Sequence, residues 1–485
     1  MPTVLILLVT VPLIPALAAT SGRGRLTAAA TAVCGIVVLA LAVSLVPAVS
    51  GAAVRIGFLR ADAVSVVFLL ATSFLYAAAG IYSIGYLRGE RHRDDYARYA
   101  RRFHVGLNLF AWSMVCAPLM DGLALLWIAI EITTVVSALL VALDDTNAAA
   151  EAAWKYVLLA SAGLGIGLLA TIFMYYAGAE ALGSSYDLAF APLLTAGKSL
   201  PHTAVQLAFL LAVLGYGTKV GLFPVHTWLP DAHSEAPTPI SAMLSGSLLA
   251  VSFYAVLRYY QIAVAALGAT FPRTVLLVFG IASLLLAAVY LLDQRNLKRL
   301  LAYSSVEHMG IMAIGIGFGA PLAVAGVLLH VVVHAAAKGN AFFGAGVLVH
   351  KYGTKDIAGI RSALSTLPWT GPLFLTAVLA LSAMPPFGLF RSEFQIVAGG
   401  VGSARTAVAA VLVVLVTVAF LGLSMATTRM LFVGGADTPV RGEPSGWMVA
   451  PMLAGLVVLV MLGVHPPGDF TDLITRGVAE VGGAV

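Results

Sequence analysis

Apolar segments of roughly 20 residues recur from one end of the chain to the other, separated by short polar stretches. That is the length an α-helix needs to cross the hydrocarbon core of a bilayer. The pattern therefore predicts an all-α polytopic membrane protein with 14 transmembrane helices. The predicted spans are 3–20, 27–48, 61–86, 104–120, 122–143, 153–177, 203–224, 240–261, 273–292, 299–318, 321–350, 369–399, 404–432 and 447–465.

The first apolar run, Val4–Ala19, has the length of a signal-peptide core. It lacks a basic start, and no clear cleavage site follows it, so we expect a spanning helix.

Two spans carry helix-breaking residues near their middle. One contains Gly221 and Pro224, and the other contains Pro385, Pro386 and Gly388. Proline removes a backbone donor, and within a bilayer the freed carbonyl groups need a protein or water partner. Two broken helices, one in each half, are typical of transporters built from inverted repeats.

Composition agrees with a lipid environment, since 60% of the residues are hydrophobic and 10% are charged. Soluble domains carry about 25% charged residues. The two cysteines lie in apolar runs and are too few to hold an iron–sulfur cluster. The repeated glycines at 163, 165 and 167 lie within a span, where they indicate helix packing. We therefore expect no metal ion, cofactor or redox centre on this chain, and no nucleic-acid partner.

The basic residues of the loops predict the orientation. Of the 27 Lys and Arg residues, Lys219, Lys338 and Arg391 lie within spans. With both termini outside, 17 of the other 24 face the cytoplasm and seven face outward. Cytoplasmic loops carry the excess of Lys and Arg. The sequence thus predicts a plasma-membrane protein whose termini face out and whose Arg88–Arg102 loop faces in.

Ionisable residues within spans are the strongest candidates for function, because each costs at least ~2.5 kcal/mol at the centre of a helix. Glu131 has no neutralising partner in its own span, and Lys219 precedes the first helix break. A buried Lys and Glu each favour the neutral form alone and the charged form when paired. The two are predicted to form a switch that releases a proton on separation. The alternative is a static ion pair.

His330, His334 and Lys338 are spaced four residues apart, which places them on one helix face. Histidine titrates near neutral pH, so this stripe is predicted to relay protons to or from the lysine. Two alternatives are satisfied core histidines and a metal site. The metal site lacks a third ligand nearby in the sequence.

Four further candidates lie in the polar, proline-rich stretch after the first break, which suits proton uptake or relay but also suits a rigid re-entrant turn. They are His226, Asp231, His233 and Glu235.

Glu393 follows the second break and is predicted to be a terminal relay group, the alternative being a structural pair with Arg391. His308 is a further buried candidate, for which relay and structural roles stay open.

These stretches resemble the antiporter-like membrane subunits of proton-pumping NADH:quinone oxidoreductase, Mrp-type sodium/proton antiporters and energy-converting hydrogenases. The resemblance covers roughly residues 60–435. Its most specific motif runs from Lys219 to Pro239, and the segments 228–237 and 301–310 are most similar to the hydrogenase-4 branch.

The resemblance implies two inverted five-helix repeats. The corresponding units are 1–103 with helices 1–3, 104–265 as the first repeat, 266–435 as the second, and 436–485 with helix 14 and a tail. It also implies that Glu131 and Lys219 match the family's coupling pair. Lys338 with His330 and His334 matches the central lysine and its histidines, and Glu393 matches the terminal acidic residue.

Many relatives carry a Lys or His in the eighth span, whereas the stretch Leu244–Ser252 is neutral here. Water held by Ser245 and Ser247 would bridge the gap, or the subunit conducts less well than its relatives. The chain ends at Val485 soon after the fourteenth span, so we expect none of the lateral helix found in the longest relatives.

The favoured hypothesis is a proton-translocating, non-redox subunit of a membrane-bound [NiFe] hydrogenase or a complex I-like oxidoreductase. Partner membrane and peripheral subunits would then hold the iron–sulfur and nickel–iron centres. The alternatives are a subunit of a Mrp-type sodium/proton antiporter and a scaffold that pumps nothing.

Overall fold

The computed structural model describes residues 1–20, 24–49, 51–183, 185–434 and 439–482. The predicted start of the C-terminal unit at 436 and the chain end at Val485 lie outside these residues.

The described chain is almost entirely helical. Its α-helices are α1 (Pro2–Thr10), α2 (Leu13–Thr20), α3 (Gly24–Ala48), α4 (Ala63–Gly89), α5 (Tyr96–Cys116), α6 (Leu123–Val141), α7 (Asn147–Leu182), α8 (Phe190–Thr195), α9 (His202–Val220), α10 (Leu229–Glu235), α11 (Thr238–Met243), α12 (Leu249–Leu267), α13 (Thr270–Leu291), α14 (Leu297–Phe318), α15 (Pro321–Tyr352), α16 (Ala363–Thr366), α17 (Thr370–Leu381), α18 (Gly388–Gly402), α19 (Thr406–Leu431), α20 (Gly446–Val464) and α21 (Gly468–Val481). Short 3-10 turns lie at Glu90–His92, Ala117–Leu119, Ala142–Asp144, Gly197–Ser199 and Ile357–Gly359.

The all-α polytopic fold is confirmed. Twelve helical segments of the described chain are long and apolar enough to cross a membrane. The two other predicted spans correspond to α5, whose first turns carry arginines, and to the pair α17 and α18, which are too short singly.

Both predicted helix breaks are present. The first separates α9 from α10, and Gly221 ends α9 in the left-handed region with φ of 83°. The second separates α17 from α18. Protein groups satisfy the freed backbone of the first break: Phe223 N donates to Ser283 Oγ at 2.9 Å, and Trp228 Nε1 donates to Thr218 O at 2.7 Å. The break is therefore compatible with lipid depth.

Glycines let α7 and α9 approach closely, as the sequence predicted. A Cβ on Gly215 would lie 2.5 Å from the backbone nitrogen of Gly167, and one on Gly163 would lie 2.5 Å from Thr218. This close packing brings the end of α9 against α7.

The core lies along α4, α12, α14 and α15. The most apolar stretch of the continuous segment Thr238–Leu267, which includes α11 and α12, is fully buried, whereas only 28% of that of α19 is buried, so α19 lies at the periphery. The ionisable residues of α14 and α15 are therefore in the most enclosed part of the molecule.

Besides short helices such as α8 and α16, three features of the described chain were not predicted. A two-stranded hairpin, β1 (Val54–Ile56) and β2 (Leu59–Ala61), precedes α4 and turns at Gly57. A π-helical turn, Leu244–Leu248, joins α11 to α12. The amphipathic helix α21 follows the last span and buries Phe470, Leu473 and Val481 among others.

A buried polar cluster ties α21 to the helix bundle. Arg258 Nη2 donates to both oxygens of Asp62 at 2.6 and 2.7 Å, and Arg258 Nη1 donates to Gln261. The carboxylate of Glu480, on α21, accepts from the backbone nitrogens of Ala63 and Val64 at the start of α4. A carboxylate at a helix N-terminus satisfies otherwise unpaired donors.

Candidate functional site

Buried ionisable side chains follow one another from α6 through α9, α10, α14 and α15 to α18. All six residues predicted for proton transfer lie in this row, and five of them are buried.

Lys219 is fully buried in the last turn of α9. Its Nζ donates to Thr133 Oγ1 at 2.8 Å and to Tyr156 OH at 2.9 Å. Tyr156 OH also lies 2.8 Å from Ser137 Oγ. The ammonium is thus held by hydroxyl groups of α6 and α7.

Glu131 is half-buried on α6, two residues from Thr133, and its charge interacts with that of Lys219. Within the described part of the chain, Glu131 and Lys219 form no direct ion pair, and Glu131 Oε2 is buried without a hydrogen-bond partner. The predicted pair is therefore not in direct contact, although the two charges interact.

His233 is fully buried on α10 and lies beyond Trp228, whose ring is 6.0 Å away. Its Nδ1 lies 2.8 Å from Leu229 O, which can only accept. The neutral ring must therefore carry its proton on Nδ1, so Nε2 has a lone pair that can accept a hydrogen bond or a proton. Nε2 has no partner among the described residues, so it is free to accept a proton. The charge of Lys338 acts on this ring.

Asp231 and Glu235 lie at one surface and are paired with basic residues of other elements. Asp231 contacts Arg299 and lies 3.4 Å from Lys155, and Glu235 lies 3.0 Å from Lys355. These pairs support a structural contribution beside any role in proton uptake.

Lys298 was not recognised from the sequence, where it counted only as a loop charge. It is buried at the first turn of α14, and its Nζ donates to Ala236 O at 2.8 Å. It lies between the paired surface residues and His233, with whose charge it interacts.

His226 is buried after the first break, and its Nδ1 has no partner within the described chain. Its ring packs 6.2 Å from that of Phe223.

Lys338 is fully buried in the middle of α15. Its Nζ donates to Leu301 O at 3.0 Å and to Ser304 Oγ, both on α14. Glu307, one turn further along α14, is buried and interacts with the charge of Lys338, and its Oε2 is unpartnered among the described residues.

The stretch of the eighth span that lacks a titratable residue approaches Lys338 through a pair of hydrogen-bonded serines. Ser245, in the π-helical turn, lies 2.6 Å from Ser305 Oγ, next to Ser304. Ser247 instead donates to Thr72 on α4 at 2.8 Å. Of the two serines expected to bridge the gap, only Ser245 lies beside the row.

Three histidine rings form the next cluster in the row, between Lys338 and Glu393. The rings of His330 and His334 are stacked at 5.9 Å, which agrees with the predicted shared face. His308, from α14, packs against both, with ring centroids 5.1 and 5.0 Å away. Neither nitrogen of His334 has a partner in the described structure.

Glu393 closes the row on α18. Its Oε1 lies 3.7 Å from His308 Nδ1, and it is 5% exposed. In the described structure Glu393 forms no ion pair with Arg391. The sequence did not predict the contact with His308, because the two residues are 85 positions apart and meet only when α14 packs against α18.

The row as a whole can accept and donate protons. It contains three buried lysines, four buried histidines and two buried carboxylates, several with an unpartnered nitrogen or oxygen among the described residues. The hydroxyl partners of the lysines were not predicted, because Thr, Tyr and Ser within spans carry no signal that separates them from packing residues.

A family model described as "NADH:quinone oxidoreductase/Mrp antiporter, TM" matches residues 121–422. The chain is 33% identical over 412 residues to a hydrogenase-4 component F homolog of Methylacidiphilum infernorum, covering 84% of this chain and 86% of that protein.

Solved structures share the fold over nearly the whole length. A chain of the archaeal membrane-bound sulfane sulfur reductase superposes with a TM-score of 0.87 at 21% identity, covering 99% of this chain and 98% of that one. A chain of the Mrp complex from Dietzia sp. superposes with a TM-score of 0.83 at 20% identity, covering 98% and 97%.

Proposed function

The chain belongs to the NADH:quinone oxidoreductase/Mrp antiporter family of transmembrane subunits, and from that premise we propose that it translocates protons as a subunit of a multi-subunit membrane complex. The observation that carries the proposal is the row of buried ionisable residues from Glu131 to Glu393. Buried ionisable groups in a membrane protein are costly and typically serve transport.

Lys219 acts as the switching group in this proposal. With the Glu131 carboxylate in contact, the ammonium form is favoured, and with the carboxylate withdrawn, burial favours the neutral amine. The described arrangement, in which hydroxyl groups of Thr133 and Tyr156 hold Lys219, corresponds to the separated state. The proton released from Lys219 passes toward the free lone pair of His233 Nε2.

The second half of the path starts at Lys338. We propose that His233 passes the proton to Lys338, with the Ser245–Ser305 pair supplying hydroxyls where the eighth span lacks a titratable residue. From Lys338 the proton moves through His334, His308 and His330 to Glu393. The units 104–265 and 266–435 would be the two inverted repeats that meet along this path.

We place proton uptake on the cytoplasmic side, near Lys298 and Glu235, and both termini outside a plasma membrane. The excess of Lys and Arg in the loops on the predicted cytoplasmic side supports this orientation.

Reconstitution tests the path. The complex that co-purifies with the chain is placed in liposomes, and proton movement is followed with a pH-sensitive dye. His233→Gln should slow proton movement at least about tenfold, because the amide cannot carry a proton through the step. His104→Gln, a buried histidine of α5 outside the row, is the matched control. Equal rates in the two variants would show that the path avoids His233.

We further propose that the complex is a membrane-bound hydrogenase or a complex I-like oxidoreductase, in which other subunits carry iron–sulfur clusters and a nickel–iron centre. The identity to a hydrogenase-4 component F homolog over most of both chains supports this choice. Metal analysis of the complex purified in mild detergent decides it. Nickel and iron support the hydrogenase type, iron without nickel supports the complex I-like type, and polytopic partners without metal support a Mrp-type antiporter.

A further inference from the structure

Two histidines and one glutamate converge in the second half of the row in a geometry that proton relay alone does not require. One nitrogen each of His308 and His330 and one carboxylate oxygen of Glu393 all lie within 4.8 Å of one another, and all three residues are buried. They come from α14, α15 and α18, so three separate elements position the triad.

The separations between these atoms fit a tetrahedral metal ion. His308 Nδ1 lies 3.2 Å from His330 Nε2 and 3.7 Å from Glu393 Oε1. With metal–ligand bonds of about 2.0–2.2 Å, two ligands of a tetrahedral zinc ion are roughly 3.3–3.6 Å apart. Two of the three separations are thus close to tetrahedral values, and the third, between His330 and Glu393, is at most 4.8 Å.

The hydrogen bonds around the triad leave the required lone pair on His330. Ser392 Oγ donates to Leu389 O at 2.9 Å and must therefore accept from His330 Nδ1, which lies 3.0 Å away. His330 Nε2 is then unprotonated and aimed at His308. A hydrogen bond to the distal ring nitrogen also orients metal-binding histidines in known sites.

His308 and Glu393 can supply the other two ligand atoms. Without a metal ion, His308 Nδ1 donates to the lone pair of His330 Nε2. Because His308 Nε2 is buried and unpartnered within the described chain, the ring can carry its proton there when an ion binds, and Nδ1 then becomes a ligand atom. Glu393 Oε1 is likewise buried and unpartnered. Glu307 provides a second buried carboxylate whose charge interacts with Glu393, so two carboxylates are available to balance a divalent cation.

Space is available for a fourth ligand. Glu393 lines a cavity of about 320 Å³ between α17, α18 and α19. The triad is therefore open to this cavity on the Glu393 side, where an external fourth ligand would enter.

We infer that His308, His330 and Glu393 form a binding site for a divalent cation of the zinc class and that occupancy of this site stops proton transfer. Two imidazoles and one carboxylate are a ligand set that zinc uses in proteins. The bound ion would occupy the lone pairs through which protons pass. The inhibitory part of this inference rests on the proposed function, whereas the binding part does not.

Binding is tested on the full chain in detergent by titration with Co²⁺, whose visible absorption reports tetrahedral coordination, followed by displacement with Zn²⁺. We expect one site with these bands. Its affinity should fall at least tenfold in His330→Gln and in Glu393→Gln, and should be retained in His104→Gln. Ser392→Ala, which removes only the orienting hydrogen bond, should weaken binding by roughly 10–100-fold.

X-ray absorption of the zinc-loaded unmodified chain needs no variant, and it should show two imidazole ligands. Bands or affinity unchanged in both triad variants, or a zinc site without imidazole, would overturn the assignment. Zinc inhibition is measured separately in liposomes. Binding without inhibition removes the inhibitory part, and a chain that binds zinc as expected but moves no protons contradicts the proposed function alone.

Discussion

At the scale of single residues, Lys219 is held in a buried position without a carboxylate in contact. Two hydroxyl groups from two helices accept from its ammonium instead. Hydrogen bonds to charged groups contribute roughly 1.5–3 kcal/mol each. In the proposed switch, these hydroxyls would therefore help to stabilise the charged lysine when Glu131 is not in contact.

Replacing Tyr156 with Phe removes one of these hydroxyls and leaves the ring packed on Trp228. We expect proton translocation in liposomes to slow by about tenfold, since a loss of about 1.4 kcal/mol corresponds to that factor. Tyr176→Phe, at an exposed position of the same helix, should leave the rate unchanged. A Tyr156→Phe rate equal to that of Tyr176→Phe would argue against this role.

The sequence predicted the members of the row better than their contacts. Lys219, Lys338 and Glu393 stand out because a charge within an apolar segment is visible in the sequence. The pairing of His308 with Glu393 depends on which helices pack together, which periodicity does not reveal. Lys298 could not be recognised, because a lysine at the end of a span looks the same whether it faces water or protein.

At the scale of elements, the π-helical turn Leu244–Leu248 directs its two serines to different partners. Ser245 pairs with Ser305, and Ser247 donates to Thr72. Such turns within α-helices are frequent at functional sites.

Ser245→Ala should therefore reduce proton translocation roughly threefold to tenfold, in line with the loss of one hydrogen bond of about 1 kcal/mol. Ser247→Ala removes a hydroxyl of the same turn that lies off the path, and translocation should stay within twofold of the parent. Dye-reported proton movement in liposomes compares the two. Equal losses would mean that the turn contributes through packing.

The polar cluster around Arg258 fixes α21 to α4 and α12. Arg258→Ala leaves the buried Asp62 carboxylate without its main partner, which should destabilise the fold by roughly 3–5 kcal/mol. Thermal unfolding in detergent measures the loss. Arg405→Ala, at the loop between α18 and α19, should unfold like the parent. An Arg258→Ala variant as stable as Arg405→Ala would show that the Arg258–Asp62 pair contributes little to stability.

Most spans were predictable because apolar length is a strong signal, but their ends were less so: α5 begins at Tyr96, where 104 was predicted, and α7 begins at Asn147, where 153 was predicted. The amphipathic pattern of α21 is also visible in the sequence, because apolar residues lie along one face at 470, 473, 474, 477 and 481. Its polar residues lower its mean hydropathy, so a search for membrane spans does not find it. The strands of the hairpin β1–β2 are too short for an alternation of apolar and polar residues to be recognised in the sequence.

At the scale of the whole molecule, orientation determines the direction of proton flow. Ala97→Cys and Ser199→Cys place single exposed thiols on the sides predicted to face in and out, while the native cysteines are buried. An impermeant reagent added to intact cells should label the position at 199 and spare the position at 97. The reverse labelling pattern would show that the orientation in the membrane is opposite to the predicted one.

The most direct test of the account is proton movement by the complex that contains Lys338→Ala. The variant complex is placed in liposomes and driven by turnover of its redox partners, or by a sodium gradient if the partners carry no redox centre. Because Lys338 joins the two halves of the row, we expect no proton movement above liposome leak, with the subunits still assembled. Lys351→Ala, on the same helix but outside the row, should keep the parent rate. Proton movement at the parent rate in assembled Lys338→Ala complexes would contradict the account.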